Sequence, residues 1–161
     1  MNVFWNVFKH SIKLPQRQAV FALNRIGMDI AVLYLFFLLA IASLPALFDQ
    51  LLINETTFHI QSFFLLIYIF IFYYLPLVFI VFGGLSIIAY IGTRVARLSS
   101  RKLRFSILWK MSAFITTIPL LLFSIISFFY PLTFIFLTLA ILFIGIVLTK
   151  IILMYPKRKC R

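Results

Sequence analysis

The chain has 161 residues, of which 65% are hydrophobic and 19% aromatic, and its formal net charge is +12. A soluble domain of this length is nearer half apolar, so the composition excludes an ordinary soluble protein and predicts an integral membrane protein. The fifteen basic and three acidic residues lie mainly between long apolar runs. This arrangement follows the positive-inside rule, and we expect no nucleic-acid partner.

The first 28 residues form a basic segment that leads into the first apolar run. Residues 1–14 predict an amphipathic helix at the membrane interface, with Lys9 and Lys13 on its polar face and Trp5 at headgroup depth. Pro15 ends this helix, and residues 16–28 form a second short segment. We therefore expect Lys9 and Lys13 to contact anionic lipid headgroups.

Four apolar runs follow, and each is long enough to cross a membrane once. They are predicted as transmembrane helices at residues 30–48, 62–91, 111–129 and 132–154. The connections are an external loop at 49–61, a basic cytoplasmic loop at 92–110, a tight turn at Tyr130-Pro131 and a cytoplasmic tail at 155–161. The predicted fold is all-α: a single transmembrane domain over residues 1–161, built as a polytopic helical bundle with an N-terminal interfacial helix.

The orientation follows from the charge of the connections. The N-terminal segment, the middle loop and the C-terminal tail are basic, whereas the first loop carries Asp49 and Glu55 and no lysine or arginine. Because cytoplasmic loops carry the excess of basic residues, both termini are predicted to be cytoplasmic. We expect a multi-pass protein of the plasma membrane.

Two runs contain residues that disturb a helix. The second run would measure about 45 Å as a continuous helix, longer than the roughly 30 Å hydrocarbon core. Pro76 predicts a kink in it, and Gly83 and Gly84 predict close approach by another helix. Pro119 predicts a second bend, in the third run, where neighbouring threonine hydroxyls can satisfy the freed carbonyls.

The middle loop is the most basic part of the chain. Four arginines recur at steps of three and four residues, so a continuing helix would place them on one face, although Ser99-Ser100 can interrupt such a helix. Two interpretations stay open: a loop that contacts lipid phosphates, and a docking face for an acidic partner protein. The basic residues of this candidate contact surface are Arg94, Arg97, Arg101, Lys102 and Arg104.

The residues that catalysis or ion-coupled transport would require are not found in the sequence. No acidic, basic or histidine residue falls in the middle of a predicted span, where ion-coupled carriers usually place one. There is no P-loop, no Gly-x-Ser-x-Gly, no His/Glu metal motif and no Cys/His cluster, and the single cysteine, Cys160, excludes an intramolecular disulfide. We expect a protein that is not an enzyme and that has no cofactor and no metal.

Four sequence segments carry a resemblance to a known family: FWNVFKHS at 4–11, ALNRIG at 22–27, LSIIAYIG at 85–92 and RKLRFSILWKMSAF at 101–114. They resemble an uncharacterised bacterial membrane family whose members are labelled maltodextrin-utilisation membrane proteins and are grouped with the Yip-type (Rab-interacting) membrane proteins. The resemblance implies an association with sugar uptake. Members of that family usually carry a large extracytoplasmic insert between the first two spans, and here only residues 49–61 stand in its place.

Two kinds of function remain open. The first is a scaffold or accessory subunit of a membrane complex, with anionic lipids and other membrane subunits or a second copy as partners. The second is a small oligomeric transporter or a flippase for lipids or lipid-linked sugars, with a path near Pro76, Gly83 and Thr116. Four-span flippases of lipid-linked sugars also place a basic residue and a glycine before the first span, as Arg25-Ile26-Gly27 does here.

Overall fold

The computed structural model describes residues 2–53, 61–101, 103–127 and 134–156. Within those ranges the chain is built of helices, and four helical stretches are long and apolar enough to cross a membrane. The prediction of an all-α membrane bundle with four spans and an additional N-terminal helix is confirmed. The four stretches are Met28–Phe48, Leu66–Leu98, Phe105–Ser127 and Ile135–Met154.

Two short helices precede the first span, and we call them together the N-terminal hairpin: α1 (Asn2–Ile12) and α2 (Arg17–Asn24). Span 1 is α3 (Met28–Ile53), and span 2 joins α4 (Gln61–Ile69), a π-helical turn (Phe70–Tyr74) and α5 (Leu75–Leu98). Span 3 joins α6 (Phe105–Ile115) and α7 (Thr117–Ser127), and span 4 is α8 (Phe134–Met154). The predicted turn at Tyr130-Pro131, Lys102, residues 54–60 of the external loop and residues 157–161 of the tail lie outside the described residues.

Span 3 forms the centre of the bundle. Ten consecutive residues, from Leu108 to Thr117, are buried, and α6 contacts the hairpin, span 1, span 2 and span 4. In its most hydrophobic window 56% of span 3 is buried inside the protein, against 11% for span 2. Span 2 therefore presents most of its apolar surface outward, as a lipid-facing helix does.

The irregularity predicted at Pro76 lies in the turn directly before that residue. Pro76 is the second residue of α5, and its nitrogen carries no hydrogen for the carbonyl one turn back. The helix widens there into the π-helical turn, in which the Leu75 N–H donates to the Phe70 carbonyl. Such single π-turns occur inside α-helices, frequently at functional sites.

Span 3 is interrupted at Thr116, three residues before Pro119. The Thr116 hydroxyl donates to the Ser112 carbonyl at 2.7 Å, and the Ser112 hydroxyl donates to the Leu108 carbonyl at 2.9 Å. Hydroxyls that bond back to a carbonyl one turn earlier often bend helices, and two such hydroxyls lie here before a proline. The helix break is at Thr116, and the bend at Pro119 stays a prediction.

The connection between spans 2 and 3 is shorter than the predicted loop at 92–110. Helix α5 continues to Leu98 and α6 begins at Phe105, so only residues 99–104 connect them. Ser100 has a φ of 55°, and its N–H donates to the Arg97 carbonyl at 3.0 Å. Because the next N–H also bonds back, from Arg101 to the Ala96 carbonyl at 2.9 Å, α5 ends in a Schellman motif.

This turn interrupts the helix at Ser99-Ser100, the place where the sequence allowed an interruption, so the four arginines do not share one continuing helix. Arg94 and Arg97 lie in the last turns of α5, whereas Arg101 follows the turn and Arg104 directly precedes α6. Since Ser100 takes the left-handed conformation that terminates a helix, the two pairs belong to different elements. They nevertheless remain at the same end of the bundle.

Candidate functional site

Three polar side chains recur every seven residues along span 3, and we call them the polar seam: Lys110, Thr117 and Ser124. Seven residues are close to two helical turns, so the three share one face of the helix. Each of them forms a hydrogen bond to span 1 or to the segment that leads into it. The seam therefore joins the first and third spans along much of their length.

Lys110 is the charged member of the seam. Its side chain is 8% exposed, and it is the one Lys, Arg, Asp or Glu among the described residues that is buried. The Nζ atom donates to the Asn24 carbonyl at 3.0 Å and to the Ile26 carbonyl at 2.7 Å. Asn24 ends α2, and the last carbonyls of a helix lack partners within it, so the ammonium caps α2 from a different helix.

The position of Lys110 corrects its assignment to the cytoplasmic connector. It lies in the second turn of α6, inside a stretch long and apolar enough to span a membrane, and it faces the protein interior. A lysine in such a stretch is costly unless its donors are bonded, and the two carbonyls accept from two of its three N–H groups. Its role in holding the hairpin was missed because its acceptors lie more than eighty residues away in the chain.

Thr117 is the middle member of the seam. Its Oγ1 lies 2.9 Å from the Tyr34 hydroxyl in a buried hydrogen bond. The Ser11 side chain, from α1, lies beside the same tyrosine hydroxyl, and the Tyr34 ring packs on Phe114 with centroids 5.8 Å apart. The hairpin, span 1 and span 3 therefore meet at one buried polar cluster.

Ser124 completes the seam next to a proline in span 1. Pro45 lies inside α3 and lacks the N–H that would bond the Ile41 carbonyl four residues earlier. The Ser124 hydroxyl donates to that carbonyl at 3.4 Å. In a membrane helix a freed carbonyl is commonly satisfied by a hydroxyl from a neighbouring helix, and Ser124 has that role here.

The contribution of the middle contact can be measured by a double-mutant cycle. For Tyr34→Phe and Thr117→Val we expect a coupling of about 0.6 kcal/mol, the average for hydrogen bonds between membrane helices. The free energy of unfolding would be taken from SDS titration in mixed micelles. As a control, Tyr90→Phe paired with Thr117→Val should show no coupling, because Tyr90 lies on the exposed surface of span 2. Equal coupling in both cycles would contradict a direct hydrogen bond.

The start of spans 1 and 3 and the end of spans 2 and 4 lie at one end of the bundle, where most of the basic residues are found. The Met28 sulfur, where span 1 begins, lies 3.7 Å from the Ser106 hydroxyl, where span 3 begins. Gly92, near the end of α5, faces the last turns of α8, and the Phe21 ring of α2 packs against Tyr155 with centroids 5.8 Å apart. We call this the basic end of the bundle.

The basic end carries most of the predicted contact residues, and Lys150 of α8 adds a further exposed lysine. The exposed arginines among the predicted residues are Arg94, Arg97 and Arg104, and Arg25, outside that set, is exposed as well. Arg94 donates to the Tyr90 hydroxyl through Nη2, and its guanidinium lies 5.1 Å from the centre of that ring. Arg101 is half-buried, and its buried Nε has no hydrogen-bond partner among the described residues. The arginines thus form an exposed cationic surface suited to phosphate or carboxylate groups.

The sequence predicted that another helix packs closely at Gly83 and Gly84. Within one chain, the close contact between helices is at Gly92 instead. A Cβ added at Gly83 or Gly84 meets no atom within 4 Å, whereas one added at Gly92 lies 2.9 Å from Cδ2 of Leu148. Gly92 therefore lets span 4 pack directly on span 2. Packing of Gly83 and Gly84 against a helix of another chain stays a prediction.

The residues of the predicted transport path do not line one interior surface. Pro76 and Gly83 lie at exposed positions of span 2, whereas Thr116 is buried in span 3 with its hydroxyl bonded. Within one copy they do not form a shared polar channel. Among the described residues no group of three or more His, Cys, Asp and Glu side chains is placed to hold a metal ion.

Comparison with known proteins places this architecture in a family. Residues 48–152 match a family described as "Protein of unknown function (DUF1189)". The matched segment includes spans 2 and 3 and nearly all of span 4, and with them the polar seam and the connector arginines. No curated protein and no protein of solved structure gives a significant match to the chain.

Proposed function

Because the chain belongs to the DUF1189 family of unknown function, we propose from its own structure that it is a non-catalytic scaffold or accessory subunit of a membrane complex. One observation carries the proposal. The polar groups of the seam are bonded inside the bundle, whereas four arginines are exposed and Arg101 is half-buried; the exposed ones are Arg25, Arg94, Arg97 and Arg104. A surface of this kind favours binding to an acidic partner and offers no set of groups for chemistry.

The proposal includes the side of the membrane on which binding takes place. In the positive-inside rule, short connections rich in lysine and arginine face the cytoplasm. The short linker at 99–104 and its flanking arginines fit that rule, so the basic end and both termini would face the cytoplasm. The plasma membrane is the proposed location, and the partner would be a membrane complex with an acidic cytoplasmic face.

A link to sugar uptake is the finer part of the proposal. It is supported by the resemblance to proteins labelled maltodextrin-utilisation membrane proteins, through the segments at 4–11, 22–27, 85–92 and 101–114. The grouping with Yip-type membrane proteins has the same support. The maltodextrin label indicates which complexes to test first: membrane components that take up oligosaccharides.

The experiment is charge reversal at the basic end. We expect the combined change Arg97→Glu, Arg101→Glu and Arg104→Glu to abolish co-purification with the partner complex in mild detergent, measured by quantitative mass spectrometry. The matched control is Lys150→Glu, which reverses an exposed charge at the same end on another helix and should leave the complex intact. Survival of the complex in the triple variant would contradict the proposal.

A small oligomeric transporter or flippase is the second candidate. The observation that favours it is the π-helical turn of span 2 at Phe70–Tyr74, since such turns are frequent at functional sites. A path through Pro76, Gly83 and Thr116 would require contributions from more than one copy. Purified protein in vesicles should then accelerate the flip of a fluorescent lipid or lipid-linked sugar, and a rate equal to that of protein-free vesicles would count against this function.

A further inference from the structure

The N-terminal hairpin is packed into the bundle along one face of each of its helices. Val7 and Ser11 of α1, and Val20 and Leu23 of α2, are between 0% and 1% exposed. Helix α1 contacts both halves of span 3, and α2 contacts its first half. Helix α1 is therefore held in a fixed orientation, and its opposite face points away from span 3.

That opposite face combines apolar and cationic side chains. Trp5 is 58% exposed and Ile12 is 48% exposed, alongside the exposed Lys9 and Lys13. The Lys9 Nζ lies 5.2 Å from the centre of the Trp5 ring. An exposed tryptophan next to a lysine suits the boundary between lipid headgroups and acyl chains, where the ring is buried and the ammonium reaches the phosphates.

The depth of α1 agrees with that boundary. Ser11 lies beside the Tyr34 hydroxyl, and Tyr34 is six residues into span 1, which corresponds to about 9 Å along a helix. Interfacial helices bury their apolar face by roughly 5–10 Å. The lysines of α1 are then close enough to extend to the headgroups.

The positive charge of residues 1–28 favours anionic lipids. Residues 1–28 contain four basic residues and no acidic residue. A lysine near an anionic membrane surface adds about 1 kcal/mol of attraction, whereas a zwitterionic surface supplies no such net charge. We propose that the exposed face of α1 is a binding surface for anionic phospholipid headgroups, held at its depth by the Ser11 contact and by the Lys110 cap on α2. This lipid site is independent of the scaffold role.

Lys110 acts in this site as a positioning residue. It is buried and bonds to the carbonyls of Asn24 and Ile26, so it holds the hairpin against span 3 and presents no charge to lipid. Its replacement should weaken the lipid preference of α1 although every exposed lysine remains. A site made only of surface charge would not respond in this way.

The two tryptophans of the chain make a direct test available. Trp109→Phe leaves Trp5 as the single fluorescent reporter on α1. The protein is reconstituted in mixed vesicles of phosphatidylglycerol and phosphatidylcholine in which one of the two lipids carries brominated acyl chains. We expect brominated phosphatidylglycerol to be enriched about fivefold next to Trp5 over its bulk fraction, the factor that one nearby lysine provides.

The variants distinguish the parts of the proposal. Adding Lys9→Gln and Lys13→Gln should abolish the enrichment, and adding Lys110→Met should reduce it, whereas Lys110→Arg should keep most of it. Lys150→Gln is the charge-matched control and should have no effect. Equal quenching by both lipids in the parent would overturn the lipid site, and unchanged enrichment in Lys110→Met would overturn its dependence on Lys110. Loss in Lys150→Gln as well would show general charge attraction and contradict a site on α1.

Discussion

Lys110→Met should lower the free energy of unfolding by about 1.5–3 kcal/mol, the range for hydrogen bonds to a charged group. Methionine keeps the length and apolar stem of the side chain but removes all three donors. The carbonyls of Asn24 and Ile26 then lose their shared partner, and the last turn of α2 loses its cap. Unfolding by SDS titration in mixed micelles measures the change.

The control for this prediction is Lys150→Met. It makes the same chemical change at an exposed position of α8, where we expect less than about 0.5 kcal/mol. A second readout is proteolysis of the hairpin, which should become faster in Lys110→Met and remain unchanged in the control. Equal stability of the two variants would show that Lys110 does not hold the hairpin.

Gly92→Leu is expected to destabilise the bundle by about 1–3 kcal/mol, as overpacking of a well-packed core does. The first atom of a side chain at this position would already lie 2.9 Å from Cδ2 of Leu148. Cδ1 atoms of Leu108 and Ile152 lie 3.8 Å from the same point, so a larger side chain must displace at least the Leu148 side chain. Thermal unfolding in detergent would record the loss.

The matched control is Gly83→Leu, about two and a half helical turns earlier on the same span. Nothing lies within 4 Å of a Cβ at Gly83, so within one chain the larger side chain should be tolerated. If Gly83 packs against a second copy, its substitution should change the oligomeric state without a comparable loss of stability in the monomer. A similar loss at both positions would contradict the assignment of Gly92 as the contact with span 4.

The number of spans and the all-α class could be predicted from sequence because they depend on composition over windows of about twenty residues. An apolar run of that length has few alternatives to a membrane helix. Helix irregularities near Pro76 and Pro119 were also predictable, since proline lacks the required N–H regardless of its surroundings. These features are local, so the sequence is sufficient to indicate them.

The polar seam depends on which helices are neighbours, and a single sequence contains no direct record of that. The partners of Lys110 and Thr117 lie 83 to 86 residues earlier in the chain. The seven-residue spacing of Lys110, Thr117 and Ser124 was the available signal. Lys110 was instead assigned to the connector because basic residues usually flank spans, and its burial in α6 became evident only with the fold.

The most direct test of the central claim, a four-span bundle with its basic end in the cytoplasm, is cysteine labelling in intact cells. In a Cys160→Ser background, Ser100→Cys lies in the linker of the basic end and Gln61→Cys at the start of α4, by the opposite end. A membrane-impermeant maleimide should label Gln61→Cys in intact cells and Ser100→Cys only after permeabilisation. Labelling of both from the same side, or of Ser100→Cys in intact cells, would contradict this architecture.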